Sequence, residues 1–192
     1  MTKIPYFQEV VIMSFECPHC GNKNNEIKSA GPVQSQGHRI ELKVTKKDLD
    51  RQIVKTESAS VKLPELDFEI PAFSQKGELS TIEGILDRAI SSLEQGQPLR
   101  KAVDPEQAEK VGQFVDKLKT YRSGDNPFTI VLDDISGNSF VENPHAPNND
   151  EAMTITKYDR TKEQNQALGF EESDGNYFQK KFSGFNYLSP SL

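Results

Sequence analysis

Cys17-Pro18-His19-Cys20-Gly21 carries both cysteines of the chain. A C-x-x-C pair on a tight turn ending in glycine sets two thiolates where a tetrahedral zinc ion takes half of its ligands. Structural zinc is four-coordinate, and no second C-x-x-C follows. Either a piece of the site is missing, the remaining ligands are unusual, or the pair does something else. His19 lies inside the knuckle and points the wrong way to complete a tetrahedron. A thioredoxin-like redox pair needs its first thiol at a helix N-terminus, where the pKa falls. Here the pair follows a strand-forming run and precedes Gly21 and Asn22, which argues against redox chemistry.

Other groups with chemical potential are scattered. Jelly rolls of the cupin type build enzyme sites from a His-x-His or His-x-Asp pair on a barrel strand, and neither His38 nor His145 belongs to one. His145 sits between prolines and reads as loop-shaping or partner-contacting. Asp133 and Asp134 follow an apolar run; adjacent strand residues face opposite ways, so they form no convergent acid–base pair without a bend. Turn-capping by Asp134 or Asn138 is the reading they favour. Glu65, Asp67 and Glu69 alternate with Leu66, Phe68 and Ile70, which predicts a row of carboxylates along one strand face. The sequence has no Gly-rich phosphate loop, Ser-His-Asp set or HExxH motif.

The elements that must position these residues follow from periodicity. Ile4 to Glu16 is rich in β-formers and runs into the knuckle; Glu26 to Ser29 makes a short return strand. Ile40, Leu42 and Val44 alternate with polar residues, and further strands are expected at Ile53-Val54, Val61 to Leu63 and Leu66 to Ile70. From 80 to 122 the period changes. Ser80-Thr81-Ile82-Glu83 fits a capping box with Ser80 as N-cap, and Ile82, Ile85, Leu86, Ala89, Ile90 and Leu93 follow at helical spacing. Gly96 and Pro98 stop that helix, and Asp104-Pro105 starts a second, with the stripe Ala108, Val111, Phe114, Val115, Leu118 and Tyr121. The prediction is a helical hairpin inserted between β segments. Phe128 to Leu132 and Met153 to Tyr158 read as strands, and Arg160 to Leu168 as a short helix closing at Gly169.

Composition narrows the function classes. A net charge of −6, with 23 basic and 29 acidic residues, argues against a general nucleic-acid binder, which needs a basic face. Only Lys3, Lys23 and Lys28 lie near the knuckle. Two cysteines and no signal peptide predict a reducing, intracellular compartment, and no apolar run approaches the roughly 18 residues of a membrane span. The predicted organisation is a partial zinc ribbon over 1–30, a β-barrel-like domain over 31–171 and a disordered, mobile tail over 172–192.

Ile4-Pro5-Tyr6-Phe7, the Cys17–Gly21 knuckle, Glu65 to Ala72 (ELDFEIPA), Thr81-Ile82-Glu83-Gly84 and Asp133 through Pro147, with its GNSFVENPHAP core, together resemble the ZPR-type zinc-finger family. The similarity runs from about Thr2 to Gly169 and is closest to the first of the family's two modules. The resemblance implies a mainly β, α+β architecture: a four-cysteine zinc ribbon, then a double-stranded β-helix (jelly-roll-like) domain carrying a helical hairpin. Against that pattern the family's first C-x-x-C falls upstream of Met1, and the second module is not represented. Zinc is the implied cofactor, with Cys17 and Cys20 as its ligands here. The resemblance further implies a non-catalytic binding protein that engages translation elongation factor one-alpha and assists its folding. The cytoplasmic region of receptor tyrosine kinases is a second implied partner, and cytoplasm and nucleus the implied locations; no membrane or nucleic-acid partner is expected. Because the main implied partner is basic, the carboxylates of Glu65, Asp67 and Glu69 serve equally well as an acidic docking strip. Asp134, Asn138, Asn143 and His145 join them as expected partner-contact residues. The alternatives are a nucleic-acid-associated zinc ribbon, a cupin-like metalloenzyme, or a truncated fragment without function.

Overall fold

The computed structural model describes residues 2–3, 9–21, 23–29 and 31–170. The tail expected over 172–192, and residues 4–8 of the first expected strand, lie outside the described residues. Two compact units divide the chain at Asp159.

Strands Thr2–Lys3 (β1), Glu9–Glu16 (β2) and Lys23–Ser29 (β3) form an antiparallel ribbon, with β2 and β3 paired from Val10 opposite Ser29 to Glu16 opposite Lys23. The Cys17–Gly21 turn closes its tip. Eight more strands follow: Gly37–Val44 (β4), Gln52–Lys55 (β5), Ala59–Leu63 (β6), Phe68–Ile70 (β7), Glu78–Thr81 (β8), Phe128–Asp134 (β9), Phe140–Val141 (β10) and Met153–Tyr158 (β11). They build a five-stranded sheet of order β11-β4-β9-β6-β7 and a three-stranded sheet of order β10-β5-β8, with every pairing antiparallel.

Strand alternation decides what each sheet buries. On β4, Ile40, Leu42 and Val44 stand opposite Leu132, Ile130 and Phe128 of β9, and all six are buried. Ile53 and Val141 of the smaller sheet join the same core. Its remaining cover is helical: α1 (Ile82–Gln95) contributes Ile82, Ile85, Leu86, Ala89 and Ile90, and α3 (Pro105–Arg122) contributes Val115 and Leu118. Tyr121 stacks on Phe128 at 4.9 Å and Phe114 tilts against Phe68 at 5.4 Å, joining α3 to β9 and to β7.

The predicted hairpin of helices contains a third piece. Gln97–Val103 (α2) lies between the two expected helices, because Pro98 sits in its first turn, where a missing N–H costs nothing. Gln97 Nε2 donates to the Ala108 carbonyl at 3.0 Å and Arg100 Nη1 to the Leu93 carbonyl at 2.7 Å, so α2 ties the ends of α1 and α3 together. The N-cap of α1 is Thr81, which accepts from the Gly84 N–H, rather than Ser80, which is still the penultimate residue of β8. Asp104 caps α3 as expected, accepting from the Gln107 N–H at 3.0 Å.

The carboxylate row over 65–69 does not form. Pro64–Leu66 is a 3-10 turn and Asp67 takes a left-handed conformation with φ 48°, which breaks the alternation; only Glu69 lies on β7. Glu65 turns back and accepts from the Thr129 N–H at 2.8 Å, while Glu69 pairs with Lys62 across the β6–β7 register. The unit from Arg160 onward holds Lys162–Ala167 (α4), shorter than expected, capped by Thr161 and followed by Gly169.

Candidate functional site: knuckle, signature loop and charged cleft

Cys17 and Cys20 sit on the turn between β2 and β3, where the Gly21 N–H donates to the Cys17 carbonyl at 2.9 Å. Cys17 is half-exposed and Cys20 exposed, both as free thiols. The backbone N–H groups of Cys20 and then His19, followed by the Cys20 thiol, hold the Cys17 thiol below its ordinary pKa. Two thiols of this kind suit zinc as half of a tetrahedral set. No third Cys, His, Asp or Glu joins them among the described residues, so these residues do not complete a zinc site. His38 is remote from the knuckle in the fold: it lies on β4, opposite Asp134 of β9. Burial lowers its pKa, Lys157 adds to the effect and Asp134 opposes it.

Strand β2 also exposes apolar side chains: by alternation Phe15 (62% exposed) and Met13 (41%) lie on one face and Ile12 (48%) on the other. The ribbon's base is fixed. Val10 and Ile27 are buried with Val54 of β5 and against Phe140 of β10, and the Ile27 N–H donates to the Gly77 carbonyl at 2.9 Å.

The stretch from Asp133 to Pro147 is where chain segments distant in sequence are joined. Asp134 is fully buried and accepts from Ser58 Oγ (2.7 Å), the Ser136 N–H (2.8 Å), Ser136 Oγ (2.9 Å) and the Asn138 N–H (3.0 Å). Asp133 points to the opposite face, as alternation requires, and accepts from Tyr158 Oη at 2.5 Å. Gly137 has φ +72°, and a Cβ there would meet the Gln36 carbonyl oxygen at 2.5 Å, so only glycine fits. Asn138 donates from Nδ2 to the Pro32 carbonyl at 3.1 Å and accepts from Gln34 Nε2 at 3.1 Å, gripping the linker between ribbon and sheets. Ser139 Oγ accepts from the Thr56 N–H at 3.2 Å, and Lys55 beside it is 1% exposed, its pKa lowered by burial first and by Arg88, against Asp134 and Glu57. Asp134 and Asn138 therefore face inward. Asn143 and His145 lie in the turn beyond, where Asn143 Oδ1 accepts from the His145 N–H and Asn143 Nδ2 donates to the Asn148 carbonyl, both at 2.8 Å.

His145 lines a cleft of about 360 Å³ with Lys47, Asp48, Asp50, Arg51, Glu142 and Pro144. Beneath it is a buried ion triad. The Arg51 guanidinium pairs with Asp48 at 2.6 Å on one side and with Asp150 on the other, and all three residues are buried. Burial pushes the Asp48 pKa up, but the Thr45 hydroxyl and N–H and then Arg51 outweigh it; Asp150 follows the same pattern with Arg51, the Ala152 N–H and His145. The sequence reading missed this triad entirely. Asp48 and Arg51 are three positions apart, but Asp150 lies 99 positions beyond Arg51, and the bend after β4 and the turn before β11 bring it to them.

Fold and knuckle together define a C-x-x-C ribbon joined to an antiparallel jelly roll with an inserted helical layer. Family models match in two places: the ZPR1 zinc-finger domain over residues 1–35 and the ZPR1 jelly-roll domain over residues 47–170. The chain belongs to the ZPR1 family. It is 56% identical over 172 residues to zinc finger protein ZPR1 of Mus musculus, covering 89% of this chain and 38% of the relative. Identity to zinc finger protein ZPR1 of Homo sapiens is 54% over 173 residues, 90% of this chain and 38% of the relative. To the zinc finger chaperone zpr1 of Schizosaccharomyces pombe (strain 972 / ATCC 24843) it is 43% over 175 residues, 91% of this chain and 38% of the relative. The chain thus spans well under half the length of these relatives.

Proposed function

We propose that this chain is a non-catalytic client-binding module that engages translation elongation factor one-alpha and assists its folding. The observation that carries the reading is strand β2 of the ribbon, where Met13 and Phe15 share one exposed face leading to the knuckle, on a base anchored into the sheets. Exposed aromatic and aliphatic side chains on a rigid mount lose little entropy on docking, which suits them to hold a client's apolar surface. The fission-yeast relative, named a zinc finger chaperone, supports the same direction. The polar groups that could have served catalysis are committed to structure instead: Asp134 to its loop, Asp48 and Asp150 to Arg51. By the same reading the module works in cytoplasm and nucleus, with the cytoplasmic region of receptor tyrosine kinases as a second partner.

Capture of elongation factor one-alpha by the purified, zinc-supplied chain tests this. The double variant Met13→Asp/Phe15→Asp is expected to lose at least tenfold in capture, since an apolar anchor in an interface contributes roughly 2 kcal/mol or more. Its thermal unfolding should match the parent, because both side chains are exposed. Equal capture by parent and variant, or no capture by the parent, refutes the proposal.

A further inference from the structure

β11 is an outer strand of the five-stranded sheet, and among the described residues no strand pairs with its far side. The Lys43 N–H donates to the Ala152 carbonyl, which fixes the phase of the ladder between β4 and β11. Alternation then turns the backbone groups of Thr154 and Thr156 toward β4 and those of Ile155 and Lys157 away from it. An edge of this kind is a template for another strand, and natural sheets blunt theirs with proline, bulges or charges. β11 has no proline and one charge, Lys157. The apolar face of the sheet runs out to the same edge. Leu132, Ile40 and Ile155 stand in one cross-strand row; the first two are buried and Ile155 is 52% exposed.

We infer that two copies of this chain pair antiparallel along β11, joining their five-stranded sheets edge to edge into one continuous sheet. The sequence of the strand selects the register. With the two-fold axis at Thr154, Met153 of each copy stands opposite Ile155 of the other, and Glu151, just ahead of the strand, opposite Lys157. Glu151 and Lys157 are both exposed, and neither has an ion-pair partner among the described residues. In this register the Ile155 N–H of each copy donates to the Met153 carbonyl of the other. Moving the axis to Ile155 sets Glu151 against Asp159, two like charges; moving it to Thr156 sets Met153 against Asp159. Pairing at Thr154 thus closes the open apolar row, because Ile155 and Met153 of both copies leave water together. The ribbon takes no part, so failure of this pairing leaves the client reading untouched, and the reverse holds.

Sedimentation velocity on the intact chain over a concentration series tests the pairing, with chelator and reductant present so that the free thiols bridge nothing. Expected is a monomer that passes, as concentration rises, to a species of twice the 21.6 kDa chain mass and no further. Lys157→Glu sets two carboxylates against each other at both ends of the interface and should weaken pairing roughly tenfold, whereas the exchange Glu151→Lys/Lys157→Glu should restore it. Ile155→Pro removes an N–H that crosses the interface and none that meets β4, and should leave a monomer. Amide exchange supplies a readout that a damaged fold would not: with rising concentration Ile155 and Lys157 slow, while Thr154 and Thr156, already bonded to β4, stay as they were. A chain that is monomeric at every concentration overturns the inference. So does a dimer that Lys157→Glu leaves intact, or one that the charge exchange fails to restore. If Ile155→Pro unfolds the sheet, the charge exchange and the parent's amide pattern still decide.

Discussion

Replacing Arg51 with methionine isolates the buried triad. The guanidinium bridges Asp48 and Asp150; it bonds Asp48 through Nε at 2.9 Å and Nη2 at 2.6 Å and pairs with Asp150 through Nη1. Methionine fills much of the stem volume, so the lost quantity is the charge. Two carboxylates stay buried with their other donors: the Thr45 N–H and hydroxyl for Asp48, the Ala152 N–H for Asp150. Breaking a buried pair from one side costs about 3–5 kcal/mol, because an uncompensated charge is left in low dielectric. For a chain of this size that lowers Tm by on the order of 10 °C. The pH dependence gives the sign. In the parent both carboxyls titrate below their ordinary value of 3.8, so their contribution is complete above that value and is lost as pH falls through the lowered native pKa. In the variant, burial acts with less opposition and the native pKa values move up. The penalty is then full at pH 7.5 and shrinks toward pH 4.5 as the carboxyls protonate. Urea unfolding at both pH values measures it, and the triple variant R51M/D48N/D150N should recover most of the loss. A deficit under about 1 kcal/mol, or one equal at the two pH values, refutes the reasoning.

Three further outcomes follow from the ribbon, its linker and the helices. Gly77→Ala would set a Cβ 2.3 Å from the Ile27 carbonyl oxygen, so the β3–β8 approach must open; overpacking of this kind costs about 1–3 kcal/mol, read as faster hydrogen exchange in β3 with β9 unchanged. Asn138→Ala removes both side-chain bonds to the linker and should cost about 1–3 kcal/mol in chemical unfolding, with proteolysis at residues 31–36 rising in step. Asp104→Ala deletes the cap of α3 and should lower stability by about 1 kcal/mol, whereas Asp104→Asn should hold it.

What the sequence made legible was whatever rests on local periodicity. The stripes of α1 and α3, the alternation of β4 and the knuckle turn all depend on residues a few positions apart. The same reasoning missed α2, because Gly96 and Pro98 read as a stop and Pro98 equally opens a helix. It placed Glu65, Asp67 and Glu69 in a row by assuming continuous strand, and the left-handed Asp67 undid that. Opposite facing of Asp133 and Asp134 was derivable; the full burial of Asp134 under Ser58 was not, since it depends on β6 pairing with β9. The Arg51 triad is local only in its Asp48–Arg51 half, three positions apart; Asp150, 99 positions beyond Arg51, leaves no local trace. A charge such as Asp150 looks solvated on its own and finds its partner only through the packing of distant segments.

The grip of Asn138 on Pro32 spans 106 positions, and that sets an order on synthesis. Val54 and Gly77, which meet the ribbon's base, come before the helical layer, but Phe140, which completes the mount over Val10 and Ile27, follows it. On a growing chain, Ile12, Met13 and Phe15 therefore hang from a hairpin whose mount is incomplete until β9 and the loop beyond it have emerged. Protein synthesis at roughly 5–20 residues per second makes that interval several seconds or more. For that time the newborn module itself displays loose apolar surface, and its own maturation falls within reach of the chaperones that attend nascent chains.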